Sequence, residues 1–186
     1  MRRRLGGQEG FTLVEIVAVL AGAMALAGIA APRIQAYLRI QRATTSARMV
    51  ERQLQTARLN AVSASRALRV RFDCPSTGKM RILELTGVAA TDNATNRCDP
   101  AAYPSPGPVD ALRSTPSLDS PVVDLPTGTT VTGGPTQIEF SPQGSAFTVA
   151  AGGAVTPLPD TTVITVTRTG VSRTVSVNSL GRIRLN

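Results

Sequence analysis

Apolar and polar positions divide the chain into stretches of different period. Residues 11–31, FTLVEIVAVLAGAMALAGIAA, form an almost unbroken apolar run whose one ionisable side chain is Glu15. As a helix this run is about 31 Å long, close to the hydrocarbon thickness of a bilayer. After Pro32 the pattern turns amphipathic. Ala43, Ala47, Val50, Leu54, Ala57 and Ala61 recur at helical spacing, and Arg42, Arg48, Arg52 and Arg58 lie mostly off that seam. The spacing predicts a helix with one apolar face that ends near Ser63-Ala64-Ser65. Small seam residues suit close packing on a sheet better than a free coiled coil, because alanine buries little area.

Strand periodicity then takes over. Leu68, Val70 and Phe72 alternate with Arg69, Arg71 and Asp73, the pattern of a half-buried strand. Residues 79–86 read as its partner, across a turn at Cys74-Pro75-Ser76-Thr77-Gly78. From about 87 to 127 there is little periodicity and much Pro, Asp, Ser and Thr, which predicts a long surface loop tied down at Cys98. Further strands are expected at 137–140, 146–150, 161–168, 171–178 and 182–185, with Thr169-Gly170 as a two-residue hairpin turn. The expected fold class is α+β: a long N-terminal helix, membrane-spanning in its first half, packed on an antiparallel β-sheet domain.

Composition narrows the chemistry. Aromatic residues make up 3% of the chain and Trp is absent, so the core must be aliphatic. The net charge is +8 and, apart from Lys79, the basic residues are arginines. That balance suits an anionic partner or serves solubility. With no histidine there is no Ser-His-Asp or Cys-His arrangement and no zinc-binding helix, and no Walker-type glycine loop is present. The sequence therefore offers no catalytic residues, no metal site and no cofactor. Cys74 and Cys98 suit a disulfide in an oxidising compartment better than a metal, and closing such a loop stabilises a domain by roughly 3 kcal/mol.

The N-terminus carries the sharpest signal. Residues 1–10, MRRRLGGQEG, place three arginines before the span, which favours a cytoplasmic N-terminus and an external remainder. In a secretory signal peptide the small-residue cleavage site would follow a shorter apolar stretch. Here GGQEG precedes a longer one, so the span reads as a retained anchor. Glu15 inside it costs on the order of 2–3 kcal/mol and marks a functional position. It either snorkels to the interface or is neutralised by a cation from another chain.

Gly10 followed by Phe11-Thr12-Leu13-Val14-Glu15 resembles the prepilin cleavage and methylation motif of type IV pilins and type II secretion pseudopilins. The resemblance implies cleavage after Gly10 by prepilin peptidase, N-methylation of Phe11, and pairing of Glu15 with the terminal amine of a neighbouring subunit during assembly. Pro32 then matches the helix-loosening proline common in pilins, a helix break. One long helix followed only by strands is similar to the GspH/FimT group of minor pseudopilins and minor pilins. So are Phe140-Ser141-Pro142-Gln143-Gly144 and the closing Leu180-Gly181-Arg182-Ile183-Arg184. The implied organisation is a leader at 1–10, an assembly helix at 11–31, its continuation at 32–65 and a periplasmic β-rich domain at 66–186. The partners would be the peptidase, the inner membrane and other pilins in a filament.

The C-terminal arginines open a second reading. In a strand, Arg182 and Arg184 share one face about 7 Å apart, near the spacing of successive phosphates along a nucleic-acid strand. Arg168 and Arg173 on the preceding hairpin would widen the patch. Gly181, Arg182 and Arg184 resemble the GRxR motif of FimT-type minor pilins, which implies DNA binding during uptake. Solvated charge that blocks edge pairing explains the same arginines without DNA. An anchored periplasmic enzyme is the third hypothesis, and it lacks a catalytic constellation.

Overall fold

The computed structural model describes residues 12–105, 107, 112–114, 116–150 and 153–186, apart from the side chain of Ile29. Helix α1, Leu13–Ser63, is 51 residues long. The chain divides into two compact units at Leu38/Arg39, and α1 contributes to both.

In the N-terminal unit the helix side chains are exposed, among them Leu13, Val14, Val17, Leu20, Met24 and Leu26. This part of α1 is long and apolar enough to cross a membrane. The expected break at Pro32 does not interrupt α1, which contains Pro32 within its span. A proline lacks one amide donor, so it removes the single bond to the Gly28 carbonyl while the turns on both sides stay helical.

In the C-terminal unit the helix is amphipathic. Ala43, Ala47, Val50, Leu54, Ala57 and Ala61 are all fully buried. Most of this seam packs against apolar residues of two antiparallel sheets, including Leu68, Val70, Ile138, Phe140, Ile164, Val166, Val175 and Val177. The strands are β1 Leu68–Phe72, β2 Lys79–Glu84, β3 Val123–Asp124, β4 Thr129–Thr132, β5 Gln137–Phe140, β6 Ala146–Val149, β7 Val155–Pro157, β8 Thr162–Arg168, β9 Val171–Val177 and β10 Ile183–Leu185. One sheet has the order β3-β2-β1-β5-β6-β7 and the other β10-β9-β8-β4. Thr169 and Gly170 both have positive φ, 52° and 77°, the geometry that lets a two-residue turn follow the strand twist between β8 and β9.

Strands β3, β4 and β7 were not expected from the sequence. Each is two to four residues long and lies at a sheet edge, where short polar segments carry too little alternation to read.

The larger departure concerns β1. Its alternation predicted one solvated face, yet all five residues are buried, including Arg69 and Arg71. The described residues between 86 and 120 are not a free surface loop but a cover folded over this face, containing helix α2, Ala89–Asp92, and a 3₁₀ turn at Thr95–Cys98. Arginines of the sheet hold the cover by its carbonyl groups. Arg71 donates to the carbonyls of Asp92 at 2.7 Å and Ala94 at 3.0 Å. Arg81 donates to those of Ser120, Arg97, Asp99 and Tyr103. Arg69 bonds the Asp92 carbonyl and Asn93 and pairs with Glu139 at 3.0 Å.

Acidic groups fasten the cover as acceptors. Asp92 takes the Thr86 and Gly87 amides and the Thr86 hydroxyl, and Glu84 takes the Ser114 and Leu118 amides. Asp119 pairs with Arg97 at 3.3 Å and Arg113 at 2.8 Å. Cys74 and Cys98 are joined in a disulfide that ties the cover to the β1–β2 turn. Burial pushes the Arg71 guanidinium below its ordinary pKa; the charges of Arg69 and Arg97 act in the same direction and Asp92 opposes them. Burial likewise lowers Arg81, against the pull of Asp119. An arginine starts so far above neutrality that both remain charged.

Candidate functional site

Two regions carry the residues singled out by sequence. The first is the start of α1. Gly10 and Phe11 lie outside the described residues. Thr12 stands at the helix N-terminus, and its Oγ1 accepts the Glu15 amide at 3.2 Å, while its carbonyl accepts the first helical bond from Ile16 at 3.2 Å. Thr12-Leu13-Val14-Glu15 thus has the Thr-x-x-Glu form of a capping box, a signal the sequence reading passed over. Glu15 in the first turn also faces the positive end of the helix dipole. Its position therefore favours helix initiation, besides any role between chains.

The second region is the corner where β10 meets α1. Asn178 accepts the Arg182 amide through Oδ1 at 2.8 Å, which closes the β9–β10 turn. Gly181 is buried there with φ of +70°. A Cβ at Gly181 would overlap the Gly144 carbonyl oxygen and lie 2.7 Å from Arg58 Nε. Arg58 in turn donates to the carbonyls of Gly144 at 3.1 Å and Leu180 at 3.4 Å. Gly181 is therefore required by backbone conformation and close approach. The contact between Arg58 and Gly144, which completes this junction, was not legible in the sequence, since a contact across 86 residues leaves no local pattern.

Arg182 and Arg184 are exposed, while Ile183 and Leu185 pack partly against the core. The alternation expected for this strand is present. Neither guanidinium has a hydrogen-bond or ionic partner among the described residues. The two arginines line a cleft of about 190 Å³ with Asp160, Thr161, Ser176, Val177 and Asn178. They also line one of about 350 Å³ with Gln55, Arg58, Leu59, Gly181 and Ile183. Neither cleft is lined by an aromatic ring.

Arg168 and Arg173 do not extend this patch. Arg184 is opposite Ser176 in the β9–β10 register, and Arg173 is an odd number of residues away on β9, so the two point to opposite faces. Arg173 reaches the helix instead, bonding Thr44 Oγ1 at 3.3 Å. Arg168 pairs across the hairpin with Val171 on the same face as Arg173 and bonds the Thr127 carbonyl at 3.3 Å.

The family model described as type II transport protein GspH matches residues 46–181 of this chain, more than half its length. The chain belongs to the GspH family. No curated protein matches the sequence. Among solved structures, the type IV minor pilin FimU of Pseudomonas aeruginosa is similar at 16% identity, over 81% of this chain and 92% of that one, with a TM-score of 0.47. The minor pseudopilin EpsH from the Type 2 Secretion System of Vibrio cholerae is similar at 18% identity, over 78% and 96%, with a TM-score of 0.40. In this GspH-family chain the matched segment begins within α1, takes in β1 to β9 and the arginine-held cover, and stops at Gly181. Glu15, Pro32, Arg182 and Arg184 lie outside it. The pilin-like architecture, one long helix with an apolar first half followed by antiparallel sheets, is that of the GspH family member expected from the sequence.

Proposed function

We propose that this GspH-family chain is a minor pilin or pseudopilin, made as a precursor, cleaved after Gly10, N-methylated on Phe11 and assembled into a filament through α1. The observation that carries this reading is the contrast along one helix. The second half of α1 buries its seam under two sheets, whereas the first half leaves its apolar side chains exposed, Leu13 at 78% and Val14 at 74%. So much unpartnered apolar surface needs lipid or other helices around it. Before assembly the helix sits in the inner membrane with the arginine-rich leader in the cytoplasm and the sheet domain in the periplasm. Afterwards it packs with helices of neighbouring subunits, and Glu15 accepts the terminal amine of one of them. The Glu15→Ala variant should be processed and inserted normally but be depleted from sheared filaments. Full incorporation of that variant would contradict the charge-pairing role.

A second reading is that Arg182 and Arg184 bind DNA for uptake. Their exposure and lack of partners favour it. The opposite orientation of Arg168 and Arg173, and Asp160 in the adjoining cleft, reduce the positive surface that would support it. Binding through two guanidinium groups would be salt-sensitive and independent of sequence. A salt series with duplex DNA, beside the double substitution Arg182→Ala and Arg184→Ala, tests it.

A further inference from the structure

Among the described residues, strand β10 is an edge of its sheet, and three features of that edge converge on one groove. The first is its backbone. Asn186 and Thr174 exchange hydrogen bonds, and the Asn178 amide donates to the Arg182 carbonyl. In an antiparallel ladder the bonded pairs alternate, so Arg184 and Ser176 form the bonded pair between them. The amides and carbonyls of Ile183 and Leu185 therefore point away from β9, toward the open edge.

The second feature is charge: Arg182 and Arg184, exposed and without partners among the described residues, flank those backbone groups. The third is an apolar shoulder. Across the cleft of about 350 Å³, α1 presents Gln55, Arg58 and Leu59. Leu59 is 66% exposed, and Leu180 at the start of the edge is 67% exposed.

We propose that this groove binds an extended acidic segment of another protein, which adds to β10 as a further strand of the sheet. Main-chain bonds to Ile183 and Leu185 supply the pairing. Carboxylates at alternate positions of the segment lie beside Arg182 and Arg184, and the apolar side chains between them turn toward Ile183 and Leu59. A second copy of this chain is a poor occupant, because the chain carries +8 and its own β10 is basic. Nucleic acid is a poorer fit than peptide. A phosphate strand would use the two guanidinium groups but leave the edge amides and the exposed leucines unused, with no aromatic ring on which to stack. The inference does not depend on cleavage after Gly10 or on filament assembly.

The test uses the full chain in detergent micelles and a fluorescein-labelled peptide alternating glutamate and valine, followed by anisotropy. Saturable binding is expected, with slowed hydrogen exchange at the Ile183 and Leu185 amides. The same peptide N-methylated at every second amide, prepared in both registers, should bind about tenfold more weakly in the register that blocks edge pairing. A lysine–valine peptide should not compete. The double substitution R182E/R184E, at exposed positions, should weaken binding by at least about tenfold while leaving the melting temperature unchanged. Equal binding of both N-methylated peptides, unchanged exchange at Ile183 and Leu185, or no peptide binding would overturn the proposal. So would binding of duplex DNA in place of the peptide. Because the N-methylated peptides leave the protein unaltered, no folding defect can imitate their effect.

Discussion

Arg81 is the clearest case of an arginine whose role is mechanical. Its side chain is almost wholly buried, and its guanidinium bonds four carbonyls of the cover. A charged donor shared among carbonyls is stronger than a neutral one, and removing it leaves several buried acceptors unmatched. Arg81→Met, which keeps the aliphatic bulk, should destabilise the domain by about 3 kcal/mol. That corresponds to a fall in melting temperature of roughly 6–12 °C; an unchanged melt would show that the cover holds without it. Gly181 is a second constrained residue. Gly181→Ala meets both a left-handed backbone and a clash with Gly144 and Arg58, so a loss of about 2–4 kcal/mol is expected by denaturant titration. Weakened binding of DNA or peptide in that variant would then report a displaced edge and not a lost contact.

At the scale of elements, the sequence is legible where local pattern and burial agree. The alanine seam of α1 and the Thr169-Gly170 hairpin could be read because a helix face and a two-residue turn are set by neighbouring residues. Strand β1 shows why reading failed elsewhere. An arginine on alternating positions looks the same whether it meets water or the carbonyls of a segment more than twenty residues downstream, as Arg69 and Arg71 do with Asp92. The cover was opaque for the same reason, since it is ordered by contacts with the sheet and not by a period of its own. It has three kinds of fastening, the arginine bonds, the carboxylate acceptors such as Glu84 and Asp119, and the Cys74–Cys98 disulfide. Substituting both cysteines by serine should cost roughly 3 kcal/mol through the freed loop in the unfolded chain. The arginine bonds remain in that variant, so hydrogen exchange should stay slow at the Asp119-bound Glu84 amide. Exchange as fast as in the unfolded chain would mean that the disulfide alone orders the cover.

For the whole molecule, the distribution of burial along α1 links fold to function. A domain that folds around the second half of a helix, while the first half stays apolar and exposed, fits the proposed passage from a bilayer to a helical filament core. That account depends on where the mature chain begins. The proposed cleavage after Gly10 puts the new terminus at Phe11, four residues before Glu15, whereas processing as an ordinary secreted protein would remove the apolar run itself. The intact mass of the protein recovered from membranes of cells that contain prepilin peptidase distinguishes these directly. The account predicts a single species that begins at Phe11 and carries one added methyl group. A mass for the unprocessed chain from Met1, or for a chain that has lost residues 11–31, would contradict it.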